Sequence, residues 1–475
     1  MNTATLDNIR LEVNTKLDPK NKSKLGQFMT PSVIANYMAS LFDKGASKVK
    51  LLDCGAGIGS LSISAIKALK DITLVELWEI DPIMQEQLEK NMQAIAVPFS
   101  IHAQDFIFGA VENICSGNGE RYTHAIINPP YKKISSSSEH RKELRKAGVE
   151  TVNLYSAFLA LTIMLLEKDG QAVAIIPRSF CNGPYYKPFR ELILKECSID
   201  HIHVFESRNK AFQDDDVLQE NIIIKVVKGK KQGDVEISQS NDHEFHDYQS
   251  KAVPFSDVVK PNDSDLFFHI PTDEQAENNS IFAVSLSELG LGVSTGPVVS
   301  HRMKEYLEPE PTDGAVPLLY PHHFVDRQFQ YPKEHKKPNA IRVATDSQKW
   351  LMPNNGYYVI VRRFSAKEER RRVVAYIVSP DEIGKEWIGF DNCWNVFHIK
   401  KHGFDKTTAM GLACFLNSTE LDNHFRVFSG HTQVNATDLK NMKYPTMQVL
   451  KELGKTYQTT MNQEQIDQLL TGAIE

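Results

Sequence analysis

Short apolar runs separated by amphipathic stretches fill the first half of this chain, an alternation that predicts strands and helices in turn. Lys48–Asp53, Ile72–Trp78, a run near Ser100–Ala103 and His124–Ile127 read as buried strands. Apolar periodicity from Ser60 to about Leu69 predicts a helix after the first of them. Leu154–Leu166 is almost wholly apolar, broken by Tyr155, Ser156 and Thr162, and predicts a core helix too short to span a bilayer. The very apolar run Asn221–Val227 predicts a further sheet strand. Together these elements imply an α/β fold with a doubly wound sheet. After residue 285 the alternation lapses. Strand-like runs such as Tyr357–Val361 and Val373–Val378, separated by loops, predict a second region of mixed α+β character.

Candidate chemistry gathers where the predicted strands end. Asn128-Pro129-Pro130-Tyr131 follows the fourth strand. Two prolines fix φ and remove two backbone donors, so the turn presents oxygens to its surroundings. The amide oxygen of Asn128 and the main-chain oxygen of Pro129 could both accept from one NH2 group, drawing its lone pair out of conjugation toward an electrophile. Tyr131 is expected to stack on the ring bearing that amine. The alternative is a proline-stiffened turn in which Asn128 only caps backbone. After the first strand, Cys54-Gly-Ala-Gly-Ile-Gly59 lets the backbone approach a ligand at a helix start, with Gly55, Ala56 and Gly57 closest. The third glycine arrives too early for a dinucleotide fingerprint, and Asp53 would repel a pyrophosphate while favouring an ammonium or sulfonium. Glu79, at the tip of the second strand, suits the two hydroxyls of a ribose, with Ile80 beside an adenine face. Asp105 could accept from an adenine amino group, and Phe106 could close the other face.

With these motifs the chain resembles S-adenosylmethionine-dependent methyltransferases, and more narrowly the DNA adenine-N6 enzymes of restriction-modification systems. The segment Gly26-Gln-Phe-Met-Thr-Pro31 resembles the family segment that closes over the methionine moiety, which adds Gln27, Phe28, Thr30 and Pro31 to the cofactor set. Its place ahead of the glycine loop, with Asn-Pro-Pro-Tyr later and a long C-terminal region last, is similar to the gamma order of these enzymes. The resemblance implies a Rossmann-like methyltransferase domain with a C-terminal target-recognition domain. It implies S-adenosylmethionine as cofactor and double-stranded DNA as partner, and it leaves a place for a separate cognate restriction endonuclease. It also implies an aromatic residue on the second face of an extruded adenine. Phe212, just before Asn221–Val227, is the choice, with Phe205 as competitor; three aspartates after Phe212 depart from the family pattern.

The chain has 475 residues, enough for two or three domains, with the apolar content of an ordinary globular protein. Its six cysteines form no C-x-x-C pair, so no zinc site or disulfide framework is suggested, no metal is expected, and a reduced cytoplasm without a membrane is the expected setting. The net charge of −6 argues at first against a polyanionic partner. Its distribution reverses that reading, because residues 201–300 hold 8 Lys and Arg against 17 Asp and Glu, while 301–450 hold 21 against 17. The expected organisation is a catalytic domain at 1–245, a linker-like region at 246–284 and a target-recognition domain at 285–475. Within the last, Arg362–Arg372 reads as a basic hairpin tip that could grip phosphates, or as a solvated turn neutralised by Glu368 and Glu369. Rival functions remain open, namely a protein-glutamine or RNA-base methyltransferase, or a DNA-recognition subunit with an idle methyltransferase domain.

Overall fold

The computed structural model describes residues 3–17, 29–45, 48–117, 119–205, 221–242, 244–261, 263–271, 281–365, 369–428 and 433–473. The chain forms two compact units, Met1–Thr272 and Asp273–Glu475.

The first unit is built on nine strands. These are β1 (Val49–Cys54), β2 (Ile72–Trp78), β3 (Phe99–His102), β4 (Tyr122–Ile127), β5 (Leu166–Pro177), β6 (Cys197–Phe205), β7 (Asn221–Lys228), β8 (Val235–Ser240) and β9 (Gln249–Val253), in sheet order β3-β2-β1-β4-β5-β7-β6-β8-β9. Strands β1 to β5 run parallel, and β7 enters antiparallel between β5 and β6. The order reverses between β1 and β4. At such a switch point the loops leaving the carboxyl ends of neighbouring strands part and open a crevice.

Both faces of the sheet are covered, which is why its strands read as continuous apolar runs. On one face Leu52, Ala125, Ile127, Ala174 and Ile224 pack against the helix Leu154–Leu165, whose side chains are nearly all buried. On the other, Leu51, Ile126, Ile175 and Ile223 meet the helices Thr3–Lys16, Ser32–Ser40, Ser60–Ala68 and Pro82–Gln93. The region expected as a linker is only partly one. Gln249–Val253 is a sheet strand, and Phe267, Phe268 and Ile270 are buried. Arg190, itself fully buried, donates from Nε and Nη2 to the Asp265 carbonyl at 3.1 and 2.7 Å and lies over the Phe267 ring. Apolar residues inside a polar stretch thus carry the compact unit on to Thr272.

A buried polar knot joins the helix Ser32–Ser40 to β6 and β8. Ser238 Oγ lies 3.0 Å from Tyr37 Oη, 2.7 Å from His201 Nε2 and 2.8 Å from His203 Nδ1. Burial first of all pushes His201 down to about 4 and His203 to about 3. Both imidazoles are therefore neutral in the fold but charge below pH 6.5 when unfolded. Their contribution is complete above pH 6.5 and is lost progressively as pH falls from there to about 4 for His201 and about 3 for His203, costing about 2 kcal/mol per histidine by pH 5. Buried Asp53, raised to about 7, acts with the opposite sign, so a difference measurement isolates the histidines. The Tm of a His203→Gln variant is expected to fall less between pH 7 and pH 5 than that of the parent protein. Parallel Tm curves would contradict this account.

In the second unit the strands Gly292–Thr295, Trp394–His398, Tyr358–Arg362 and Ala375–Val378 form a sheet against the helices Lys406–Leu416, Met447–Thr456 and Gln463–Gly472. A second sheet, of five short strands, includes Ala315–Leu319 and Trp387–Phe390. This unit is mixed α+β, as expected. The basic run between Tyr358–Arg362 and Ala375–Val378 is only partly a tip. Arg372 is buried over the Phe425 ring, and Arg371 donates to Gln463 Oε1 and the Ser418 carbonyl, both at 2.5 Å. Arg370 and Phe364 face outward. No helix among the described residues is long and apolar enough to cross a membrane.

Candidate active site

The crevice at the β1–β4 switch point opens into a cavity. Its walls come from the ends of β1 to β4, the segment Met29-Thr30 and the helix carrying Leu154 and Phe158. The glycine loop forms the floor. Gly55 and Ala56 both donate from their backbone N–H to the Trp78 carbonyl, at 2.8 and 2.9 Å, which ties the loop to the end of β2. Gly55 has φ +94, a conformation that side chains disfavour. A Cβ there would stand 3.8 Å from the Asn128 carbonyl and 3.9 Å from the Phe158 ring, in the gap between the loop and the proline turn.

Glu79 fixes that loop from the side. Its Oε2 accepts from Gly57 N at 2.7 Å and its Oε1 from Asp81 N at 2.8 Å, while the carboxylate lines the cavity at 5% exposure. Burial holds its pKa above the usual carboxylate range, opposed by these backbone donors. Beside it Ile80 is 47% exposed and turned to the cavity, facing the buried Phe106 wall residue. Asp105 caps the helix Phe106–Ser116 through Ile107 N and receives His140 Nε2 at 2.8 Å, a bond that raises the histidine's pKa.

At the rim sits Asn128. Its Nδ2 donates to Thr30 Oγ1 at 2.9 Å, and its Oδ1 accepts from the Tyr131 hydroxyl at 2.9 Å. Thr30 and Tyr131 thereby hold the amide at both of its ends. Pro130 joins the wall, and Pro129 is buried behind it.

The residues fit a cofactor made of a nucleoside and an amino acid. Ser60 Oγ is a buried hydroxyl on the wall at a helix start, without a hydrogen-bond partner among the described residues, and Trp78 Nε1 is similarly unpartnered. Such orphaned donors suit a carboxylate or another polar ligand group. Apolar Ile80, Met84, Phe106 and Phe158 suit a flat ring.

Residues 59–212 match the Eco57I restriction-modification methylase family. Type II methyltransferase M.BsuBI of Bacillus subtilis is 50% identical over 469 residues, covering 95% of this chain and 93% of that protein. The chain belongs to the type II restriction-modification methyltransferases. M.PstI of Providencia stuartii is a further relative, 41% identical over 99% of this chain and 97% of its own length. In fold, this restriction-modification methyltransferase is similar to the type IIL restriction-modification enzyme MmeI, solved in complex with DNA, with a TM-score of 0.51 over 99% of this chain and 73% of that one at 12% identity. It is also similar to DrdV in a DNA complex, with a TM-score of 0.52 over 92% and 57% at 12% identity.

The cavity of this methyltransferase brings together Thr30, Gly55, Ala56, Gly57, Glu79, Ile80, Asp105, Phe106, Asn128 and Pro130. Pro31 instead starts the helix Ser32–Ser40, accepting from Ala35 N. Asp53 does not line the cavity. It lies fully buried beneath the loop, Oδ2 accepting from Ser62 Oγ at 2.5 Å and Oδ1 unpartnered among the described residues. Tyr131, expected as a stacking surface, is buried edge-on to Tyr155, because its hydroxyl reaches both Asn128 Oδ1 and the Ile175 carbonyl. Phe205 is packed against His203 and Phe245. Gln27, Phe28 and Phe212 lie outside the described residues. Sequence reasoning missed Ser60, Trp78, Gln104, Lys132, His140 and Phe158 on the wall. Ser60 and Trp78 adjoin recognised motifs and were within reach of it; His140, which meets Asp105 from 35 residues away, carried no local signal.

Proposed function

We propose that this chain methylates N6 of an adenine rotated out of duplex DNA, as the modification enzyme of a restriction-modification system. The observation that carries the reading is the Asn128 carboxamide, locked by Thr30 at the rim of the cavity that the glycine loop and Glu79 build. S-adenosylmethionine supplies a methyl group already activated on a sulfonium. The chain's own task is alignment and hydrogen bonding. Glu79 is placed to hold a ribose, Ile80 and Phe106 to flank an adenine ring, and Ser60 with the following helix start to receive a carboxylate.

On the acceptor side, Asn128 Oδ1, which accepts from Tyr131 at 2.9 Å, and the Pro129 carbonyl are the intended acceptors for the base amine. Tyr131 in this reading orients the amide, and Phe212 supplies a face for the base. Extrusion costs a few kcal/mol, so stacking within the pocket has to offset it. The second unit holds the duplex and chooses the site, and the endonuclease is a separate chain. The test is to incubate purified protein with plasmid DNA and methyl-labelled S-adenosylmethionine, digest to nucleosides and separate them by mass. Label in N6-methyladenine is the expected result. Label in cytosine, in RNA or in protein alone would overturn the proposal.

A further inference from the structure

Asn221 is the first residue of β7 and is 6% exposed, yet neither its Oδ1 nor its Nδ2 has a hydrogen-bond partner among the described residues. Burying an amide without partners costs stability, and an apolar side chain of similar size would avoid that cost. An orphan of this kind calls for a use outside the folded chain.

Its position suggests one. Asn221 pairs with Pro177 on β5, while Ala174 of β5 pairs with Ile127, the residue before Asn128. Asn128 is thus level with Ile175, and Asn221 stands two strands across and two residues further toward the crevice. With strands ~4.8 Å apart and ~3.3 Å per residue, the two backbones are about 12 Å apart. Side-chain alternation puts both amides on one face. Ile126 and Ile223 pack in the layer that holds Ile175, whereas Ile127, Ile222 and Ile224 pack in the opposite layer. Asn128 and Asn221 alternate with the first set, and Thr30, which binds Asn128, arrives from that same side. The two carboxamides thus share one face of the sheet at its crevice end, at a backbone separation that a planar base can bridge.

We propose that Asn221 reads the acceptor base, donating from Nδ2 to a ring nitrogen on an edge away from the amine held by Asn128. This rests on the base-methylating function proposed above. The amide is covered in the free chain, so the bond forms only as the base enters.

The experiment uses the full-length protein and duplexes carrying adenine, 1-deazaadenine, 3-deazaadenine or 7-deazaadenine at the methylated position. The parent enzyme is expected to lose roughly 10- to 100-fold in kcat/KM on one of the three analogues. Asn221→Ala should show that same loss on adenine, no further loss on that analogue, and unchanged ratios on the other two. Its Tm should equal or exceed the parent's, because no hydrogen bond among the described residues is removed. Multiplicative losses on every analogue, unchanged kinetics on adenine, or a lowered Tm would each overturn the role of Asn221. A parent enzyme insensitive to all three ring nitrogens would do the same without any variant. Should the parent form no N6-methyladenine on any duplex, the functional reading itself falls, and this inference with it.

Discussion

Asn128→Ala is expected to lower the single-turnover rate of methyl transfer about a thousandfold, with the Kd for S-adenosylmethionine within about threefold of the parent's. The proposed acceptor, an adenine amine, is a poor nucleophile because its lone pair belongs to the ring. Only acceptors aimed at its two hydrogens return that pair to nitrogen, and they act more strongly in the transition state than in the bound ground state. Asn128 Oδ1 is proposed as one such acceptor, and its aim is set by two bonds of 2.9 Å, from Asn128 Nδ2 to Thr30 Oγ1 and from the Tyr131 hydroxyl to Asn128 Oδ1. Thr30→Val removes the first and leaves the oxygen in place, so it should cost about tenfold, well short of the alanine variant. In the proposed reading the cofactor is held chiefly by the glycine loop and Glu79, both untouched in these variants. A rapid-quench measurement with isothermal titration alongside decides the matter. A near-normal rate for Asn128→Ala would remove the turn from the chemistry.

The elements bearing the site were legible because each makes one unambiguous switch. An apolar run stops at Asp53, Glu79 or Asn128, and glycine or proline follows. Strands β1 to β4 and β7 accordingly lie within a residue or two of their expected bounds. β5 was not legible, because the helix Leu154–Leu165 passes into Leu166–Pro177 without a turn residue between them, and the strand opens on Glu167, Lys168 and Asp169. Side-chain roles were harder to read than positions. Tyr131 looks like an exposed stacking ring until the fold brings the Ile175 carbonyl to its hydroxyl. Arg371 and Arg372 look like phosphate contacts until the Ser418 carbonyl receives the Arg371 guanidinium, Asp422 accepts from the Arg372 backbone N–H and the Phe425 ring packs under the Arg372 guanidinium. In each case the deciding partner lies more than 40 residues away, where local pattern carries no information.

Glu79→Ala is expected to weaken S-adenosylmethionine binding about a hundredfold, which is about 2.7 kcal/mol. Two losses add up. The backbone N–H groups of Gly57 and Asp81 lose their acceptors at 2.7 and 2.8 Å, so the loop that must lie against the ligand is no longer fixed. The buried carboxylate oxygens also vanish from the wall where ribose hydroxyls are proposed to donate. Because burial raises the Glu79 pKa, the parent protein carries a neutral acid at a higher pH than an ordinary glutamate does. A neutral acid cannot accept at both oxygens, so parent affinity should fall as pH drops through that raised value. Glu79→Gln turns an NH2 toward one of the two N–H donors, so it should bind almost as weakly as the alanine variant and without that pH dependence. Titration calorimetry between pH 8 and pH 5 on all three proteins tests both points. Binding by Glu79→Ala within threefold of the parent, or an equal pH slope in Glu79→Gln, would show that this carboxylate neither shapes the loop nor meets the ligand.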